Sequence, residues 1–166
     1  MSQLEDFKGI IKRLRAKDGC PWDREQTHSS LKGDILEEAA EVICGINLYE
    51  ETGNPESMKE ELGDLLMLIL MECEIASEEG LFDLEDVAKG VKEKMIHRHP
   101  HVFGDVKADT TEEVLKNWAE IKKTEKSGKE WMDDKIPEAF DECVMLLKKA
   151  KEKKLKKLAM KKENME

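Results

Sequence analysis

Through almost its whole length this chain places apolar residues every three or four positions, and nowhere does it alternate them long enough to make a strand. That period commits each segment to an amphipathic helix, because residues three and four apart share a helix face. Leu4, Phe7, Ile10, Ile11 and Leu14 mark a first short helix, which Asp18-Gly19-Cys20-Pro21 breaks. A second, capped by Thr27, Ser29 or Ser30, runs to about Tyr49 on the stripes Leu31, Ile35, Ala39, Val42, Ile46 and Leu36, Ala40, Ile43. Gly53-Asn54-Pro55 is a turn, with Pro55 in the first turn of a third helix reaching about Glu78. Leu62, Leu65, Leu66, Ile69 and Leu70 make that helix apolar nearly all round, so it is expected to lie centrally.

Gly80 closes the third helix, and Asp83 caps a fourth that carries Val87, Val91 and Met95 up to Arg98. Residues 99–105 read as a loop. Thr110 or Thr111 opens a fifth helix with Val114, Leu115, Trp118 and Ile121; residues 126–129 interrupt it, and a last helix is expected near Pro137. The fold class is therefore all-α, a helical bundle.

At 166 residues the chain suffices for one core. The expected organisation is a single domain over 1–147 followed by a Lys-rich helical tail, 148–166. No run approaches the roughly 18 apolar residues of a membrane span. The segment MSQLEDFKGI lacks the basic and apolar regions of a signal peptide, so a cytoplasmic protein without a membrane partner is expected. Cys20, Cys44, Cys73 and Cys143 form no CxxC pair or zinc-like cluster. Cys44 and Cys73 fall in apolar helical stretches and are expected as buried, reduced thiols.

Net charge is −10, unevenly spread: residues 148–166 hold nine lysines against three glutamates, a net of +6, which leaves −16 on residues 1–147. A body that acidic repels nucleic acid and free phosphate unless cations intervene. The tail is expected as a solvated helix face or frayed end.

Against this plain background six carboxylates stand out. Glu37, Glu38 and Glu41 fall on the second helix, and Glu60, Glu61 and Asp64 on the third. Glu38 and Glu41 are three apart, as are Glu61 and Asp64, and a short turn joins the two helices into an antiparallel pair. Such pairs face to face set four oxygen donors around a small volume. Like charges repel there unless a hard divalent cation intervenes, and all-oxygen ligation suits magnesium or manganese. Taken singly, each pair is also what a solvated face produces in a chain with 38 acidic residues. Asp64 lies in the least polar stretch of the chain, where an unpaired carboxylate is expensive. Gly63 beside it is a poor helix former, which points to close access at that position.

The sequence Glu37-Glu38-Ala39-Ala40-Glu41, followed by Glu61-Leu62-Gly63-Asp64, resembles the EExxE…ExxD signature of MazG-type all-α nucleotide pyrophosphohydrolases. Cys20-Pro21-Trp22-Asp23-Arg24-Glu25-Gln26-Thr27-His28 is similar to that family's CPWDxxQTH entrance, Arg98 to Phe103 to its RHPHVF loop, and Trp118 to Lys122 to its WxxIK segment. The likeness spans about residues 4–150. It implies a nucleoside triphosphate diphosphatase that yields monophosphate and pyrophosphate with Mg2+ (Mn2+ as a substitute), and a homodimer.

The resemblance further implies metal ligands at Glu38, Glu41, Glu61 and Asp64; a carboxylate not fully used in ligation would accept the proton of the attacking water, with Glu41 or Glu37 the candidates. It implies substrate contacts at Lys94, Arg98, Trp118 and Lys122. Trp22, Asp23, Gln26 and His28 are candidates for the base or ribose, although Asp23 and Thr27 are equally possible caps. Trp118 keeps helical spacing with Leu115 and Ile121, so core packing competes with ligand contact. His99 and His101 are expected as structural anchors. Three rivals stand beside this reading. One is a narrower pyrophosphatase for dUTP, dCTP or phosphoribosyl-ATP. Another is a non-catalytic nucleotide-binding helical protein. The third is a di-iron bundle, for which Glu25-x-x-His28 is the sole ExxH spacing.

Overall fold

A computed structural model of the chain describes residues 2–163. Among them are eight helices and no strand: α1 (Gln3–Arg15), α2 (Pro21–Arg24), α3 (His28–Thr52), α4 (Glu56–Glu78), α5 (Leu84–Arg98), α6 (Pro100–Phe103), α7 (Thr111–Glu125) and α8 (Trp131–Glu163). The all-α expectation holds. The described chain divides into two compact units, one running up to Leu81 and resuming at Phe140, the other Phe82–Ala139.

The local signals act where the sequence puts them. Thr27 caps α3 and forms a reciprocal capping box with Ser30, and Asp83 and Thr110 do the same for α5 and α7 with Asp86 and Glu113. Gly53 ends α3 at φ 73°, a left-handed conformation that costs other residues, and its N–H donates to the Tyr49 carbonyl at 2.8 Å. The Asn54 side chain then accepts from the Glu56 N–H at 3.0 Å, starting α4 with Pro55 at its cap.

Three boundaries differ from expectation. Residues 99–105 are not all loop, because Pro100 opens the single helical turn α6; a proline's missing N–H is harmless at a helix start. Pro21 opens α2 in the same way. The last helix begins at Trp131, well before Pro137, with Asp133 and Asp134 in a first turn that favours negative charge.

In the first unit α3 and α4 pack along one another and α1 lies on α4. Six of the eight buried apolar side chains (Leu68, Leu70, Met71, Cys73, Ile75, Ala76) belong to α4; Ile11 of α1 and Leu31 of α3 complete the set. The central position expected for α4 thus holds for its second half. In its first half Leu62, Leu66 and Ile69 form an exposed stripe. Cys73 is buried as expected, but Cys44 is exposed, because its stretch of α3 faces α8 across open space rather than a packed layer.

Candidate metal centre

The backbones of α3 and α4 come close at Gly45, where a Cβ would lie 2.7 Å from the Met58 Cα and 2.8 Å from its nitrogen. Only a glycine lets the backbones meet there. Gly63 behaves otherwise: a Cβ added to it meets nothing within 4 Å, so no neighbour in this chain demands a glycine at that position. From the Gly45–Met58 crossing, Glu38 lies two turns back along α3, and Glu61 and Asp64 lie one and two turns on along α4.

Glu38, Glu61 and Asp64 offer carboxylate oxygens that all lie within 4.8 Å of one another, each residue half-buried. Burial pushes the Glu38 carboxyl above its ordinary pKa; the nearby Asp64 and Glu61 charges push it further, while Lys154 pulls it back. The Glu61 carboxyl is raised too, by burial first and then by Glu60 and Asp64. Three carboxylates that mutually disfavour ionisation suit a hard divalent cation, which relieves the repulsion and takes oxygen ligands.

Of the four residues expected as ligands, three are thus brought together. The fourth, Glu41, is engaged elsewhere: its carboxylate accepts a hydrogen bond from Lys154 of α8, half-exposed like its partner. Lys154 also lies 3.7 Å from Glu37, and Lys153 lies 3.8 Å from it. Lys32 of α3 reaches Glu142 of α8 at 3.0 Å. Between α3 and α8 lies a cavity of about 490 Å3 that takes in Glu37, Glu41, Glu61, Lys151 and Lys154 on its polar side and Ala40, Cys44, Leu147, Ala150 and Leu155 on its apolar side.

The residues of the α1–α3 connection serve mainly one another. Trp22 is exposed and Asp23 buried. The Gln26 amide donates to the Trp22 carbonyl at 3.0 Å, and its side-chain oxygen accepts from Ser30 at 2.7 Å. His28 pairs with Glu72 and lies 3.7 Å from Glu79. The hydrogen bond to Glu72 raises the His28 pKa above the ordinary histidine value, helped by the charges of Glu72 and Glu79 and opposed by burial and Arg15. Arg15, which the sequence did not single out, holds this connection to α4. Its buried guanidinium donates to both carboxylate oxygens of Glu78 at 2.9 and 2.7 Å and to the Asp23 and Gln26 carbonyls at 2.6 and 3.2 Å.

The second unit gathers Arg98, Trp118 and the histidines. The Arg98 guanidinium stands 5.6 Å from the Trp118 ring centre and donates twice to Glu125, at 3.0 and 2.6 Å. His99 meets the same indole edge-on at 5.0 Å and pairs through Nδ1 with the Met95 carbonyl at 2.6 Å. His99 is therefore an anchor, whereas the buried Nδ1 of His101 has no hydrogen-bond partner. Trp118 is half-buried between Arg98 and His99. Lys94 and Lys122 are exposed, and Lys94 joins Arg98, Lys126 and Lys129 around a cavity of about 410 Å3 in this unit.

A helix pair that converges three carboxylates defines the class: an all-α protein whose α3–α4 pair carries a group of oxygen donors able to hold a metal ion. Residues 26–103, which contain all three, match the MazG nucleotide pyrophosphohydrolase domain. Over 126 residues it is 44% identical to the nucleoside triphosphate pyrophosphohydrolase/pyrophosphatase MazG of Thermotoga maritima, covering 76% of this chain and 46% of the relative. Over 130 residues it is 38% identical to a nucleoside triphosphate pyrophosphohydrolase of Escherichia coli (strain K12), covering 78% and 48%. Over 128 residues it is 47% identical to an uncharacterized protein of Bacillus subtilis (strain 168), YabN, covering 77% and 25%. The chain thus spans between a quarter and about half the length of these relatives.

Proposed function

We propose that the chain hydrolyses nucleoside triphosphates to the monophosphate and pyrophosphate, with Mg2+ at the α3–α4 carboxylates and Mn2+ as a substitute. The observation that carries this reading is the convergence of Glu38, Glu61 and Asp64 within the MazG-matched segment. These three would hold the ion, with Glu41 as a fourth ligand one turn from Glu38. Bound there, Mg2+ supplies Lewis acidity toward phosphoryl oxygens and neutralises charge on the leaving pyrophosphate. Glu37, half-buried beside the cluster but outside it, is suited to accept the proton of the water that attacks the α-phosphorus; Glu41 is the alternative acceptor.

Lys94, Arg98, Trp118 and Lys122 carry the substrate contacts that the family likeness implies; for Lys94 and Arg98 the support is their place on a cavity with Lys126, Lys129, Glu125 and Asp133. Trp22, Asp23, Gln26 and His28 remain proposed nucleoside contacts, of which the exposed Trp22 is the best placed to stack on a base. A homodimer fits the exposed apolar residues that α3 and α4 share (Ile43, Ile46, Leu62, Leu66, Ile69), and light scattering decides it. No helix of the described residues is long and apolar enough to cross a membrane. The exposed, uncrosslinked thiol of Cys44 suits the reducing cytoplasm.

The test is product analysis with Mg2+ and a panel of ribo- and deoxyribonucleoside triphosphates. Monophosphate and pyrophosphate are expected in equal amounts. Release of orthophosphate as the first product would mean that another bond is cut and would sink the mechanism. Activity confined to one base would narrow the assignment to a dedicated pyrophosphatase.

A further inference from the structure

We propose that Lys154, assisted by Lys151, binds the substrate's polyphosphate from α8, forming a cationic edge of the site opposite the carboxylates. This rests on the functional reading above and names a residue outside the matched segment, which ends at residue 103.

Geometry makes the first part of the case. The α3–α8 cavity has carboxylates along one side and the two lysines along the other, and both kinds of group open onto the same volume of about 490 Å3. Lys154 and Lys151 are three apart, so α8 presents them together, one turn apart, to that volume. A lysine ammonium is a point charge on a flexible stem and suits phosphate oxygens that arrive in varied orientations.

Packing makes the second. No residue of α8 is buried, and among the described residues it meets α3 through the ion pairs of Lys32, Lys153 and Lys154. Each of these lysines keeps much of its side chain in water, and ion pairs that stay in contact with solvent contribute modestly to stability. Lys154 is therefore poorly explained as structural cement and well placed to exchange partners.

Charge makes the third. Along the cavity Glu37, Glu41 and Glu61 outnumber Lys151 and Lys154, and Glu61 brings the further charges of Glu38 and Asp64 close by. A triphosphate enters such surroundings only with cations on its own side. When Glu41 is engaged as a ligand, the Lys154 ammonium loses its hydrogen-bonded carboxylate and keeps only the looser pair with Glu37 at 3.7 Å, which leaves it free to take an incoming phosphate oxygen.

The experiment is calorimetry on the full chain with Mg2+, using α,β-methylene-ATP and inorganic tripolyphosphate as probes, with Mn2+ binding alone followed by electron paramagnetic resonance. Lys154→Ala is expected to weaken both probes about tenfold or more by the same factor, as the loss of a charge-assisted hydrogen bond implies. Mn2+ binding should stay within twofold or tighten. Lys154→Arg should restore most of the affinity, and Lys156→Ala, an exposed neighbour on the same helix, should change nothing. Lys154→Gln keeps the stem and stands in if the alanine variant loses helicity. Unchanged or tighter probe binding in Lys154→Ala overturns the proposal, as does a parallel loss of Mn2+ affinity, which would make Lys154 a support of the metal site. A wild-type chain that binds neither probe and releases no pyrophosphate overturns both readings. A wild-type chain that does both, with an indifferent Lys154→Ala, overturns only this one.

Discussion

The two units keep their shape by different means. Among the described residues, all eight buried apolar side chains lie in the first, on α1, α3 and α4, while α5, α6 and α7 of the second bury none. The second relies instead on capping boxes at Asp83 and Thr110, the Arg98–Glu125 pair and the indole of Trp118 between Arg98 and His99. Apolar burial contributes more per residue than exposed polar pairs do. The three converging carboxylates therefore stand on the better-packed unit, as a site needing fixed oxygen positions requires. The exposed cations of the second unit belong to a region expected to open locally at lower cost.

The largest effect should come from the carboxylates themselves. Asp64→Asn, Glu61→Gln and Glu38→Gln are each expected to lower turnover by at least about a thousandfold, given what a lost metal ligand removes. Circular dichroism should remain unchanged. Full activity of any one at limiting Mg2+ would break the ligand assignment. Next comes stability. Ile75→Ala in α4 is expected to cost about 2–5 kcal/mol in urea unfolding, against no more than about 0.5 kcal/mol for the exposed Leu115→Ala in α7. Equal costs would erase the contrast between the units.

A smaller and sharper test pairs two glycines. Gly45→Ala should destabilise by about 1–3 kcal/mol, because its methyl would press on the Met58 backbone. Gly63→Ala meets open space and should stabilise α4 by about 0.5–1 kcal/mol. Thermal melts of the two variants should move in opposite directions.

The smallest effects are those of pH, and they too should separate the units. His28 has a raised pKa through its Glu72 hydrogen bond. Its contribution to the first unit is full below the ordinary histidine value of about 6.5 and is lost as pH rises through the raised value. Glu125 has a lowered pKa, chiefly from its hydrogen bonds with Arg98. Its contribution to the second unit is present above the ordinary carboxylate value and is lost as pH falls through the lowered one. Hydrogen exchange should therefore show α7 loosening on acidification and the start of α3 on mild alkalinisation. The same direction of response in both would mean that one of these pairs is wrongly identified.

What the sequence made legible was local. Thr27, Asp83 and Thr110 announce their helices because a cap bonds to a backbone amide three residues on. Glu38, Glu61 and Asp64 were legible as candidates because carboxylates three apart flank a short turn. Gly53 marked that turn by its need for positive φ. What escaped were pairings across long separations. Arg15 meets Glu78 63 positions away, and Lys154 meets Glu41 113 positions away. An arginine on an amphipathic helix, or one lysine among nine in a tail, carries no mark of which distant carboxylate it will meet. The exposure of Cys44 and of the Leu62–Leu66–Ile69 stripe escaped for a related reason: periodicity says which residues share a face, and only packing decides whether that face is covered.

The backbone contact at Gly45 has a mechanical consequence. It fixes a pivot on the α3–α4 pair, with Glu38 about 10 Å out along one arm and Glu61 and Asp64 about 5 and 9 Å out along the other. The gap between the carboxylates is then the opening of a pair of tongs, set by the crossing angle at a residue that never touches the ion. Magnesium holds its oxygens at about 2.0–2.1 Å and calcium at about 2.3–2.6 Å. If the proposed cation site holds, the volume of the side chain at position 45 would set which cation these jaws grip best.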